Sequence, residues 1–209
     1  LGGAQNLAKV TFAEGTKRVP SNLLRRYYTS DPGSNVSEVI LPESVTEIGN
    51  SAFYNCDLLT GIELPERLEA IGNYAFYDCD GLAGITIPET VLRIDNNAFE
   101  SCDALADVTF EESGTGEELM LGYSAFAGCV NLTEITIPAK VTEIGRYMFD
   151  GAASLKSITL ENGVETIGRE FLKDTAVTEL VLPRSLTSAD NALGGAQNLA
   201  KVTFAEGTK

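Results

Sequence analysis

The chain has 209 residues, 44% of them hydrophobic, and sets 15 basic side chains against 30 acidic ones, with no histidine. A net charge of −15 and a pI near 4.3 argue against nucleic-acid binding, which wants a basic face, and against attraction to anionic membrane surfaces. Without histidine the usual general base and metal ligand are missing, and no apolar run is long enough to cross a bilayer.

Leu1 falls inside a repeating phrase and is not a methionine, so the chain reads as a fragment or processed form of something longer. The phrase returns about every 23 residues, a period that means a stacked array of coils and not a closed globule. Each unit holds an apolar-polar-apolar triplet, first Val10-Thr11-Phe12, then Val39-Ile40-Leu41, Ile62-Glu63-Leu64, Ile85-Thr86-Ile87, and so on to Val202-Thr203-Phe204. Such alternation predicts a short strand whose first and third residues point inward. A leucine three residues earlier (Leu59, Leu82, Leu105, Leu132, Leu155) completes L-x-x-I-x-I. Proline often follows, as at Pro42, Pro65 and Pro88, and ends the strand because it has no N–H to donate.

The middle of each unit reads like Val45-Thr46-Glu47-Ile48-Gly49. Its apolar residues are expected to point inward from the opposite side, with glycine permitting the next bend. Then comes a segment such as Asn50-Ser51-Ala52-Phe53-Tyr54-Asn55-Cys56, for which one helical or 3₁₀ turn with a polar start is expected. Its large apolar slot holds Phe53, Phe76, Phe99, Phe126 and Phe149, with Leu24, Leu172 and Leu193 as weaker members. No unit can bury such a face alone, and stacking closes it.

L-x-x-I-x-I-P, then V-x-x-I-G, then A-F-x-x-C, resembles the BspA-like class of leucine-rich repeats. The match weakens near residues 18–36 and 172–196. The resemblance implies a β-rich α/β solenoid, a right-handed superhelix with one continuous parallel sheet, forming one array over residues 1–209 with about eight units. It also implies a protein of the secreted or cell-surface kind. Proline after the strand and cysteine later in the unit distinguish this class from the common leucine-rich repeat.

Departures from the period locate loops. Residues 29–36 and 111–118 are insertions rich in turn formers and glutamate, and the units near Val177 and Asp190 are each one residue short. Residues 1–17 and 193–209 are identical, LGGAQNLAKVTFAEGTK. Repeat degeneracy does not explain this, because neighbouring units share only their core letters. A larger 192-residue repeat is the expectation, and an artificial duplication is the alternative.

Chemistry-bearing residues are few. Cys56, Cys79, Cys102 and Cys129 share one slot, occupied by Ala4, Ala152 and Ala196 elsewhere. That spacing is the repeat period and not the close pairing of a zinc site, so buried free thiols are expected, with a bridge between adjacent rungs as the lesser alternative. No nucleophile motif or phosphate loop is present, so no catalytic, cofactor or metal site is assigned. The glutamates of 111–118 lack the alternate spacing of a calcium loop. Lys9, Lys17, Arg18, Arg25 and Arg26 with Tyr27 and Tyr28 form the one basic-aromatic cluster, either a contact patch or simply a charged edge. Asn35-Val36-Ser37 and Asn131-Leu132-Thr133 are glycosylation sequons of the kind expected by chance.

The outward strand positions are the candidate site. One row runs through Thr11, Ile40, Glu63, Thr86, Thr109, Thr136, Thr159, Val181 and Thr203. A second runs through Lys9, Glu38, Gly61, Gly84, Asp107, Glu134, Ser157, Glu179 and Lys201. Glu38, Glu63, Thr86, Asp107, Thr109, Glu134, Thr136, Thr159 and Glu179 are the chosen binding candidates. Threonine also suits any exposed strand, which is the plain alternative. The functional expectation is a non-catalytic adhesion module that engages a host or extracellular matrix protein, without nucleic acid, membrane insertion or cofactor. A structural spacer comes second and a carbohydrate-binding module third, the latter weakened by the lack of Trp.

Overall fold

The computed structural model describes residues 7–25, 35–111 and 117–207. Each coil contributes two short parallel strands. The triplets form β1 (Lys9–Thr11), β3 (Glu38–Ile40), β6 (Gly84–Ile87), β8 (Asp107–Phe110), β10 (Glu134–Ile137), β12 (Ser157–Leu160), β14 (Glu179–Leu182) and β15 (Lys201–Phe204). The V-x-x-I-G words form β2 (Arg18–Val19), β4 (Glu47–Ile48), β5 (Ala70–Ile71), β7 (Arg93–Ile94), β9 (Met120–Leu121), β11 (Glu143–Ile144) and β13 (Thr166–Ile167).

These second strands make the continuous parallel sheet, seven strands in the order β13-β11-β9-β7-β5-β4-β2. The triplet strands pair two by two instead, as β1-β3, β6-β8, β10-β12 and β14-β15. Ile62-Glu63-Leu64 stays extended without strand pairing, so the triplet face is interrupted there.

Glycine recurs in the V-x-x-I-G words, where one coil lies directly on the next, although Asp95 holds the same slot after Ile94. A Cβ on Gly145 would sit 2.5 Å from the carbonyl oxygen of Gly122, one coil earlier. The backbones approach closely enough to bond, as in Gly72 N to the Ile48 carbonyl at 2.9 Å.

The Phe-bearing segment is not helical, contrary to the sequence expectation. It carries two residues of positive φ per coil, two before and two after the phenylalanine: Ser51 and Asn55, Tyr74 and Asp78, Asn97 and Ser101. Left-handed residues at this spacing stop a right-handed helix from forming. Alternate backbone N–H groups point along the stack, and those between close local turns, such as Cys56 N to the Phe53 carbonyl at 3.1 Å. Ser51, Phe53 and Asn55 donate to the carbonyls of Asn73, Ala75 and Tyr77 at 2.8 Å each, and later coils repeat the pattern. Asparagine supports the segment's start, since Asn50 Oδ1 accepts the N–H of Asn73 and Asn96 Oδ1 that of Tyr123.

All faces turn their apolar side to one interior. Phe53, Phe76, Phe99, Phe126 and Phe149 are fully buried and stack ring on ring at 5.1, 5.1, 5.4 and 6.1 Å. The leucine column from Leu59 to Leu155 is fully buried as well. The four cysteines are buried and unbridged. Cys79, Cys102 and Cys129 each place Sγ 3.0–3.2 Å from the carbonyl oxygen of the phenylalanine one coil earlier. Leu172 fills the phenylalanine slot, and Phe171 before it is also fully buried. The same preceding position is Ala52, Ala75, Ala98 and Ala125 in earlier coils and the fully buried Met148 in the coil just before, so the slot grows toward this end of the array. Leu193 is only half-buried, and Val202 and Phe204 are 37% and 61% exposed against the inward expectation, because among the described residues no later coil stacks on theirs.

Candidate functional site

The parallel register lines up equivalent outward residues on adjacent coils. Thr86 lies beside Thr109, Thr136 beside Thr159, Glu134 beside Ser157 and Glu179 beside Lys201. All nine candidates, Glu38, Glu63, Thr86, Asp107, Thr109, Glu134, Thr136, Thr159 and Glu179, are exposed on this one face.

Two open grooves run over the face. The larger, about 920 Å³, extends from Glu38 to Glu111, and the smaller, about 490 Å³, from Asp107 to Glu161. The larger has a simple origin. In the second outward row Gly61 and Gly84 occupy consecutive coils between Glu38 and Asp107, so two neighbouring positions carry no side chain. A Cβ on Gly61 would meet nothing within 4 Å, and one on Gly84 would meet only Asp107.

The groove walls are acidic. Glu38, Glu43, Glu63, Glu66, Asp107 and Glu111 line the larger groove and Asp107, Glu134 and Glu161 the smaller, with no Lys or Arg in either. At the ends of the face Lys9 pairs with Glu38 at 2.7 Å and Lys201 with Glu179 at 3.1 Å. Among the described residues no ion pair reaches Glu63, Glu66, Asp107, Glu134 or Glu161. Their polar contacts are local, such as Thr109 Oγ1 donating to Asp107 at 3.4 Å and Ala139 N to Glu161 at 3.0 Å.

Nucleophile chemistry finds no support in the cysteines. Burial pushes the thiols of Cys79, Cys102 and Cys129 up, that of Cys129 to about 12, so the thiolate is disfavoured. Among the described residues no group of three or more acidic or cysteine side chains converges as a metal site. The glutamate-rich insertion at 111–118 lies mostly outside the described residues, as do Ala4, Arg26, Tyr27, Tyr28 and most of 29–36. Of the basic cluster, Lys9 pairs with Glu38 and Arg18 with Glu47.

Arg25 leads to a feature that the sequence reading missed. Its guanidinium lies 4.7 Å over the ring of Tyr54, which stacks at 4.7 Å on Tyr77, and Tyr74 meets Tyr77 edge-on at 5.7 Å. Arg146 covers Tyr123 in the same manner at 5.2 Å. Tyr54 and Tyr77 follow the core phenylalanine in successive units, and that periodicity was the available signal. The rings engage each other and arginine, so this patch is a coil-to-coil brace on the turn side.

Comparison with known proteins fits this architecture. Residues 28–117 and 120–209 match the model of the BspA type leucine rich repeat region, in six copies. No curated protein sequence matches the chain. A leucine-rich repeat protein from Bacteroides ovatus ATCC 8483 superposes with a TM-score of 0.75 at 22% identity, over 100% of this chain and 63% of its own length. The T. pallidum leucine rich repeat protein gives 0.67 at 27% identity, over 80% of this chain and 76% of that one. A leucine rich cell surface protein from Faecalibacterium prausnitzii A2-165 gives 0.55 at 26% identity, over 96% of this chain and 60% of that one. The chain thus spans less than two thirds of the first and third of these relatives.

Proposed function

Because the chain belongs to the BspA type leucine-rich repeat family, we propose that it is a non-catalytic binding module of the cell surface or secreted space, and that its triplet face holds a protein ligand. The observation that carries this reading is the groove over Gly61 and Gly84, walled by carboxylates of which, among the described residues, only Glu38 meets a lysine. A row of like charges on a rigid scaffold is a cost in the free protein, and a basic partner surface relieves it. Extended arrays present such faces to large partners. The F. prausnitzii relative, described as a cell surface protein, supports the location. The partner class is a host or extracellular matrix protein that presents lysine and arginine.

The test is an array of extracellular matrix proteins and glycans probed with the intact chain. Binding to a basic matrix protein is expected, weakening as salt rises. Gly61→Gln, whose Cβ meets nothing within 4 Å, and the charge reversals Glu134→Lys and Glu179→Lys should each lower affinity while thermal stability holds. Unchanged affinity in all three moves the site off this face. Absence of any ligand across the screen leaves the solenoid a spacer, and selective glycan capture makes it a carbohydrate module.

A further inference from the structure

The chain contains one Asn-Gly word, Asn162-Gly163, in the turn that follows β12. Asn162 is exposed. The stack demands glycine beside it, since a Cβ at 163 would fall 1.7 Å from the carbonyl oxygen of Ala139. A backbone nitrogen with no shielding side chain therefore sits next to a side-chain amide. Among the described residues the N–H of Gly163 donates to no carbonyl. The oxygen of the amide, by contrast, is held: Asn162 Oδ1 accepts the N–H of Arg184, one coil later, at 3.3 Å.

We propose that Asn162-Gly163 is a self-modifying site, at which the backbone nitrogen of Gly163 displaces the side-chain amide of Asn162. The nitrogen attacks Cγ and forms a new N–Cγ bond, while its proton passes through water to the departing amide nitrogen. The Cγ–Nδ2 bond breaks, ammonia leaves and a succinimide ring closes. Water then opens the ring at either carbonyl. Opening at Cγ restores the main chain and leaves an aspartate. Opening at the main-chain carbonyl routes the chain through Cγ and leaves an isoaspartate. Nothing is oxidised or reduced in either route. The attack puts negative charge on Oδ1, and the Arg184 N–H already donates to that oxygen, as a donor in an oxyanion hole does.

Coil stacking withholds comparable words from this chemistry. Gly151 follows Asp150, but its N–H donates to the carbonyl of Lys173 at 3.0 Å, and the Asp150 carboxylate pairs with the Lys173 ammonium at 2.9 Å. Ser51 follows Asn50 and gives its N–H to the carbonyl of Asn73 at 2.8 Å. Asp80 precedes Gly81, but above its raised value of about 6 its carboxyl is ionised and a poor electrophile. The two products at Asn162 also differ in consequence. The aspartate keeps the turn, strengthens the bond from the Arg184 N–H, and extends the column of acids that Glu43, Glu66 and Glu89 form after earlier strands. The isoaspartate adds a main-chain atom where Gly163 is pressed against Ala139, so the turn no longer delivers the fully buried Val164 to its place in the core.

Peptide mapping of the intact chain, kept folded for days in mildly alkaline buffer at physiological temperature, tests this. The tryptic peptide Ser157–Arg169 carries one asparagine and no glutamine, so a mass gain there reports Asn162 alone. It should convert while peptides with the other asparagines do not. An isoaspartate methyltransferase should label a fraction that melts below the parent. Asn162→Gln, whose longer side chain closes the ring poorly, should lose the conversion with melting unchanged. Arg184 is the second residue of a turn closed by Leu186 N to the Pro183 carbonyl at 3.2 Å, a position that suits proline. Arg184→Pro removes the N–H and should slow the conversion. A folded chain in which Ser157–Arg169 stays unmodified, while the same segment converts as a free peptide, overturns the proposal. Conversion of Arg184→Pro at the parent's speed overturns the part given to that N–H.

Discussion

The thiol of Cys79 lies 3.0 Å from the carbonyl oxygen of Phe53, one coil earlier. That oxygen already accepts the N–H of Cys56 at 3.1 Å, so the thiol satisfies a second lone pair in a buried site. The bond is weak, because S–H is a poor donor. It nevertheless explains how cysteine serves in a slot that alanine also fills at Ala152, which is fully buried. Cys79→Ala should cost about 1–2 kcal/mol, from a lost sulfur volume and a lost bond, read as a lower urea midpoint. The four thiols should react with a thiol reagent only as fast as the chain unfolds, since all four are buried. Rapid labelling of the native chain would contradict their burial.

Phe76 stacks between Phe53 and Phe99 at 5.1 Å on each side. Phe76→Ala removes a ring from the centre of this column and should cost about 3–5 kcal/mol, the usual range for a buried phenylalanine. Equilibrium unfolding in urea measures it. A variant that melts like the parent would mean that the column does not hold adjacent coils together.

The core was legible because its residues recur at one spacing. Phe53, Cys56 and Leu59 return in the next units, and each lands at full burial. The positive-φ pairs were not legible. Tyr74 and Glu170 adopt left-handed conformations, yet neither residue type advertises them; the stack imposes them because the N–H groups must bond to the next coil. Phe171 was hidden for another reason, since its position varies from alanine (Ala52, Ala75, Ala98, Ala125) to Met148 and so carries no fixed signal. The groove was half legible. Gly61 and Gly84 were read as members of the outward row, but that two bare positions on adjacent coils make a depression follows only from their register.

Glycines of equal appearance in the sequence should respond in opposite ways. A Cβ on Gly163 would fall 1.7 Å from the carbonyl oxygen of Ala139, whereas one on Gly61 meets nothing. Gly163→Ala should cost about 1–3 kcal/mol, because backbone of the preceding coil must shift. Gly61→Ala should stay within about 0.5 kcal/mol of the parent. Parallel thermal melts decide it, and equal losses in the two variants would mean that the coils are not spaced as described.

Acidity adds a final expectation, centred on the Cys-Asp words of three successive coils. The carboxyl of Asp80 is pushed up to about 6, first by partial desolvation and then by the neighbouring carboxylates of Asp78, Asp103 and Asp57. A carboxyl raised in the folded state binds protons more tightly there than in the unfolded chain. Its stabilising effect is therefore full below about pH 3.8, the ordinary value, and fades as the pH rises through about 6. Asp80→Asn keeps the shape and removes the charge. It should match the parent's melting temperature near pH 4 and exceed it increasingly up to about pH 6, with the gap constant above that. Melting both proteins in buffers across this range makes the comparison. A gap that opens toward acid instead would show that the ionised Asp80 stabilises the stack, and the carboxylate row would then be held by contacts other than those described.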